Sequence, residues 1–84
     1  IMEDRQTGEV SLCGEEKVPY LTVKFDAPLF GVWSPVGKNA PFICIEPWYG
    51  RCDSARFDGS LEEREWGSEL LPNTSFQTAY TVSV

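Results

Sequence analysis

The stretch Pro41–Ser54, PFICIEPWYGRCDS, decides how this sequence is interpreted. It contains an apolar run, Phe42–Glu46, bounded by Pro41 and Pro47, which is typical of a short β-strand. Because a residue that precedes proline disfavours the helical conformation, Glu46 is predicted to be extended. The strand therefore carries a carboxylate at its end, immediately before a proline and two aromatic residues.

The two faces of this strand differ in character, because side chains alternate across a β-strand. Ile43 and Ile45 form the face that is expected to pack in the core. Phe42, Cys44 and Glu46 form the other face, which is either a half-polar surface or the wall of a pocket. A carboxylate at the end of a buried strand usually has a partner or a function.

Strand-like patterns recur on both sides of this stretch. Residues Tyr20–Phe25 alternate in polarity, Leu29–Trp33 is a second apolar run, and Phe76–Val84 is predicted to form a long final strand. Val10–Cys13 is either a short strand or part of a loop, and Leu61–Trp66 fits one helical turn. The pattern predicts an all-β protein, an antiparallel sheet or sandwich with long loops on one rim.

The chain is predicted to be a single segment, 1–84, without an internal domain boundary. Ile1–Gly8 is expected to be a frayed entry, and residues 1–17 to be less well defined than residues 18–84. Aromatic residues make up 13% of a chain of only 84 residues, which is a large apolar content for so small a core. We therefore expect more chain, or a partner, to cover its exposed faces.

The composition excludes several classes of function. A net charge of −6 argues against nucleic acid and anionic membranes as partners, because both need clustered Lys and Arg. The chain has no histidine and no Cys-x-x-Cys pair, so neither a metal nor a cofactor is predicted. Cys13, Cys44 and Cys52 are an odd set, which favours free thiols in the cytoplasm, with a Cys44–Cys52 disulfide as the alternative.

Glu46 followed by Trp48 is a combination suited to carbohydrate. A sugar ring offers C–H patches to an aromatic face and hydroxyl groups to a carboxylate. Glu46 is thus a candidate general base, in a chain that lacks the commonest one, histidine. The simpler alternative is that Glu46 is a solvated residue at the strand end, with Trp48 and Tyr49 filling the core.

The order of segments resembles the aldose 1-epimerase (galactose mutarotase) family, and most closely its bacterial branch with a Cys-Ile-Glu-Pro-Trp strand. The likeness includes LFGVWSPVGKNAPFICIEPWYGRCDS from Leu29 and continues through an acidic stretch, a Trp-Gly pair and a Leu-Leu-Pro-Asn turn. It ends with the TAYTVSV strand and covers about Tyr20–Val84. The resemblance implies the C-terminal part of a galactose-mutarotase-like β-supersandwich that interconverts α and β anomers of hexoses.

The resemblance also implies roles for particular residues. Glu46 matches the catalytic base that removes the C1 hydroxyl proton, while a histidine in the family protonates the ring oxygen. The ring then opens, the C1–C2 bond rotates, and closure gives the other anomer. Trp33 matches an aromatic position that lines the pocket, and Trp48 and Asp53 fall where the strand leaves it, so these three are the expected substrate-binding residues.

The family's acid histidine lies upstream of these segments, and this chain has none. The chain is therefore expected to be the C-terminal portion of an isomerase that acts on a hexose, with or without a phosphate, and to be inactive alone. Its expected partners are the N-terminal remainder of the fold or a second chain. Two alternatives are a non-catalytic carbohydrate-binding β-domain and a structural β-domain that pairs through its sheet edges.

Overall fold

Two antiparallel sheets form the fold in a computed structural model that describes residues 1–84. The strands are β1 (Glu9–Cys13), β2 (Pro19–Phe25), β3 (Leu29–Trp33), β4 (Cys44–Trp48) and β5 (Tyr80–Ser83). The first sheet has the order β1-β2-β5 and the second pairs β3 with β4. The only helix is a single 3-10 turn, Leu61–Glu63, so the chain has no helix that would traverse a bilayer. The predicted all-β, antiparallel fold is confirmed.

Strand β3 has the predicted bounds, but β4 is shifted by two residues and runs through Pro47. The reason lies in the pairing of Phe30, which exchanges two backbone hydrogen bonds with Met2, at 2.8 and 3.0 Å. Phe30 thus directs its backbone groups away from β4, and its partner Pro47 occupies a position that forms no bond to β3. Proline is tolerated there because no hydrogen bond between the two strands is lost.

The shift of β4 changes the predicted core. Ile45 packs against the main hydrophobic cluster as expected. Ile43 lies before the strand and is 44% exposed, so its assignment to the core was wrong. Phe42 also lies outside the strand and contacts Trp33 edge to face, with ring centroids 6.3 Å apart.

The final strand is shorter than the predicted Phe76–Val84. Tyr80 pairs with Phe25, the last residue of β2, after which Asp26, Ala27 and Pro28 turn the chain away. Residues before Tyr80 therefore have no strand to pair with. Phe76 instead packs edge to face on Tyr49, with ring centroids 5.2 Å apart.

The first residues of the chain contact the fold, where a frayed entry was expected. Met2 extends the edge of β3 through its two bonds with Phe30. The backbone N–H of Arg5 donates to the carbonyl of Pro28 at 3.0 Å, and its guanidinium lies 3.1 Å from Asp26. The entry thus covers one edge of the second sheet.

The main hydrophobic cluster joins the two sheets. Its buried members come from β2, β3 and the turn between them, namely Val23, Phe25, Ala27 and Phe30. The rings of Phe25 and Phe30 are tilted against each other at a centroid distance of 5.4 Å. Leu29 is fully buried on the opposite face of β3, across from Trp48.

The molecule is open for its mass. Its accessible surface is 7061 Å², whereas a compact monomer of this mass exposes about 5,000 Å². Its radius of gyration is 16.1 Å, against about 12 Å for a compact chain of this length. Large apolar side chains such as Tyr80 and Val82 remain more than half exposed. The core is therefore small relative to the apolar content.

Because Leu29 is the only large side chain that is fully buried, we expect Leu29→Ala to lower the free energy of unfolding by about 2–5 kcal/mol. Val36→Ala is the matched control, since Val36 is 96% exposed, and its effect should stay within about 0.5 kcal/mol. Urea unfolding followed by tryptophan fluorescence measures both changes. Equal losses for the two variants would contradict the assignment of the core.

Candidate functional site

The candidate site lies on one face of the sheet formed by β3 and β4. In this pairing Gly31 is opposite Glu46, Leu29 is opposite Trp48, and Trp33 is opposite Cys44. Since side chains alternate along each strand, all six residues belong to the same face. Trp33, Glu46 and Trp48, three of the four predicted site residues, are thereby brought together.

Glu46 accepts a hydrogen bond from each of the two tryptophans. The indole Nε1 of Trp33 lies 2.5 Å from Oε1 of Glu46, and the indole Nε1 of Trp48 lies 3.0 Å from Oε2. An indole N–H only donates, and an ionised carboxylate only accepts, so both bonds are charge-assisted. We call these three residues the Trp–Glu–Trp group. The carboxylate is held in place from both of its oxygens.

Gly31 provides the space in which Trp48 lies across the sheet. A Cβ atom at Gly31 would lie 3.5 Å from Cζ2 and 3.6 Å from Cε2 of the Trp48 indole. That is ordinary van der Waals contact, so the indole packs directly over Gly31, and a side chain longer than that of alanine would compete for this space. Trp48 thus donates to Glu46 while its indole lies over Gly31 of β3.

Trp33 is oriented by the chain that enters β4. Its ring meets that of Phe42 at an interplanar angle of 82°. The hydroxyl of Ser34 donates to the backbone carbonyl of Phe42 at 2.9 Å and so ties the two ends of the loop together. Trp33 is nevertheless 48% exposed. A ligand therefore has access to part of its indole surface.

The Trp–Glu–Trp group lies on an open surface. The chain has three surface clefts, and other residues line all of them. The face of β4 that bears Glu46 is thus a half-polar surface and not the wall of a pocket. Glu46 is half-buried, and each carboxylate oxygen has a lone pair beyond the one used by an indole. The group is equipped to accept hydrogen bonds from hydroxyl groups beside an exposed aromatic ring.

Asp53 takes no part in this group. Its Oδ1 accepts a hydrogen bond from Nε of Arg64 at 2.6 Å, and Arg64 also donates to the backbone carbonyl of Arg51 at 3.1 Å. Arg51 in turn forms ion pairs of 2.9 Å with Glu3 and Glu65. Asp53 therefore belongs to a charged network that organises the irregular region after β4.

Sequence reasoning did not identify the partners in this network. Asp53 and Arg64 are 11 residues apart, outside any regular element that would set their spacing. Arg51 contacts Glu3 from the other end of the chain. Only the alternation of acidic and basic residues in 51–65 hints at such pairing, and that pattern does not specify the partners.

A second aromatic cluster surrounds Tyr49. Phe76 packs against its ring, and the hydroxyl of Thr78 donates to the Tyr49 hydroxyl at 2.5 Å. Both rings line an open cleft of about 390 Å³, together with Trp66 and the Arg5–Asp26 ion pair. The cluster fastens the segment before β5 to the end of β4.

Among the acidic groups, Glu62 has an altered pKa. A hydrogen bond with its own backbone lowers this pKa, the Ser60 hydroxyl lowers it further, and desolvation acts in the opposite direction. Ser60 has a single hydroxyl proton and also lies 3.3 Å from Oε1 of Glu63, so the backbone bond is the firmer cause. Glu62 is exposed and takes no part in the Trp–Glu–Trp group.

Other reactive side chains are dispersed. Cys13, Cys44 and Cys52 are unpaired, and no group of three or more Cys, Asp or Glu residues is arranged to hold a metal ion.

The fold and the site thus define an all-β protein that presents a tryptophan-bound carboxylate on a sheet face. Comparisons with protein-family models, with curated proteins and with solved structures found no match for this chain.

The two indole hydrogen bonds are testable by NMR. We expect Glu46→Ala to shift the indole N–H signals of Trp33 and Trp48, because both lose a charged acceptor, and to leave that of Trp66 in place. Asp53→Ala is the control and should leave all three indole signals unchanged. The measurement is a ¹⁵N–¹H correlation spectrum. A Glu46→Ala spectrum with unmoved indole signals would exclude the group.

Proposed function

We propose that these 84 residues are part of an aldose 1-epimerase-like protein that interconverts the α and β anomers of a hexose, with Glu46 as the general base. Two independent lines support this proposal. One is the resemblance of the segments from Tyr20 to Val84 to that family. The other is the meeting of Trp33, Glu46 and Trp48 on one sheet face.

The observation that carries the proposal is the position of the Glu46 carboxylate between two indoles. A base that acts on a sugar hydroxyl must be held at a fixed point, and two hydrogen bonds to opposite oxygens supply that restraint. Each oxygen keeps acceptor capacity for a sugar hydroxyl. The exposed part of Trp33 offers an apolar surface for the C–H groups of the ring.

The chemistry needs one base and one acid. Glu46 takes the proton of the C1 hydroxyl, the electron pair left on that oxygen forms the C1 carbonyl, and the bond between C1 and the ring oxygen breaks. An acid delivers a proton to the ring oxygen. After rotation about C1–C2, the steps run in reverse and the carboxyl of Glu46 returns its proton. With no histidine among these 84 residues, we assign the acid to other residues of the complete protein.

A non-catalytic carbohydrate-binding domain is the second candidate. One observation favours it: both oxygens of Glu46 already accept indole hydrogen bonds, so the carboxylate suits a fixed hydrogen-bond acceptor as well as a base. Either function takes a hexose, with or without a phosphate, and three unpaired cysteines suit either in the cytoplasm. Turnover separates the two candidates.

In the full-length protein that contains these residues, we expect Glu46→Gln to lower the rate of mutarotation by about 10²-fold or more, because an amide is not a base. Sugar binding should persist, since the amide oxygen still accepts hydrogen bonds. Polarimetry of freshly dissolved α-glucose and α-galactose measures the rate, and tryptophan fluorescence measures binding. Glu62→Gln is the matched control and should retain the rate, because Glu62 lies outside the group.

The outcomes separate the candidates. A near-normal rate in Glu46→Gln contradicts the role of Glu46 as base. Sugar binding without turnover in the unchanged full-length protein favours the binding domain. The isolated 84-residue chain is expected to leave the spontaneous rate unchanged, because it supplies the base without the acid.

A further inference from the structure

The edge strands of this chain differ in how well they are protected against pairing with another strand. Unpaired edge strands invite association, and folded proteins protect them with bulges, prolines, charges or covering segments. The edge at β1 has a register shift between Leu12 and Cys13. The edge at β3 is covered by Met2, and the outer edge of β4 contains Pro47. Strand β5 has no such feature.

The pairing of β2 determines which residues of β5 direct their backbone N–H and C=O groups away from the sheet. Phe25 donates its backbone N–H to the carbonyl of Gly8 at 2.9 Å, so its backbone groups face away from β5. Alternation then makes Tyr80, the partner of Phe25, and Val82, the partner of Val23, face outward from β2. No other backbone hydrogen bond occupies these groups. The edge therefore presents free donors and acceptors at alternate residues.

The side chains of β5 add an apolar surface to this edge. Tyr80 and Val82 lie across from the buried residues Phe25 and Val23, yet they are 67% and 52% exposed. The segment Tyr80–Val84 has no charge, no proline and no glycine. Lys24, which pairs with Thr81, has its charge matched by Glu9 on β1 at 3.4 Å. Nothing on the strand opposes the approach of an identical strand.

We propose that the chain forms a symmetric dimer in which β5 pairs antiparallel with β5 of a second copy. The pairing has its twofold axis at Val82, so Val82 faces Val82 of the copy, Tyr80 faces Val84, and Thr81 faces Ser83. These are an aliphatic pair, two aromatic–β-branched pairs and two hydroxyl pairs, all favourable across strands. The two three-stranded sheets become one sheet of the order β1-β2-β5-β5-β2-β1.

A second copy fits this edge because the strand is complementary to itself. In a twofold pairing, only the residue on the axis meets its own copy, and an uncharged Val82 can do so without charge repulsion. The pairing also brings the exposed Tyr80 and Val82 rows of both copies into one continuous stripe. The proposal is independent of any action on sugars, because neither Trp33 nor Glu46 contributes to it.

The test is sedimentation equilibrium of the 84-residue chain over a range of concentrations. The expected mass is twice that of the 9.5 kDa chain. Val82→Pro removes an outward N–H from each copy and leaves the bonds of Thr81 and Ser83 to β2 intact. Because the dimer loses two hydrogen bonds of about 1 kcal/mol each, its dissociation constant should rise about thirtyfold. Val82→Thr keeps the N–H and the branched shape, and it should remain a dimer. A chain that is monomeric at every concentration overturns the proposal.

A charge exchange at the axis provides a test that does not depend on proline. Val82→Lys and Val82→Glu should each be monomeric, because like charges would face each other across the axis. A mixture of the two variants should form a mixed dimer, since Lys then faces Glu. A dissociation constant that Val82→Pro leaves unchanged, or a mixture of Val82→Lys and Val82→Glu that stays monomeric, would refute pairing through this edge in this register.

Discussion

The antiparallel pairing of β3 with β4 is the constraint on which the candidate site depends. By setting Gly31 opposite Glu46, it leaves open the space that the Trp48 indole occupies. The same register puts Trp33 one pleat away on the same face, within reach of the other carboxylate oxygen. A carboxylate with two indole donors thus results from strand register and from the space above Gly31.

The pairing of β3 with β4 depends in turn on two further contacts. Met2 satisfies the outer side of Phe30 and allows Pro47 to lie in the paired strand. On the opposite face, Phe30 and Ile45 join the cluster that links the second sheet to β2. The site therefore lies on a sheet that is joined to the core of an otherwise open molecule. The face that bears Glu46 has the fully buried Leu29 at one end of β3 and the half-exposed Trp33 at the other.

Local sequence rules predicted this part of the fold well where the signals are local. Turn residues on both sides of Leu29–Trp33 gave its bounds, and alternation gave the face shared by Cys44 and Glu46. Proline rules failed at Pro47, because whether a proline interrupts a strand depends on which backbone groups the neighbouring strand needs. The length of β5 was missed for a similar reason, since Phe25 ends the partner strand.

The division between the two faces of β4 also determines how the chain tolerates changes in length. One residue inserted between Cys44 and Glu46 would rotate the carboxylate to the face of Ile45, among apolar neighbours. In the preceding loop, residues 35–41 lie between Ser34 and Phe42, and adding or removing a residue there does not change which face Glu46 occupies. Variation among descendants of this sequence should therefore collect in that loop and spare the spacing of the strand.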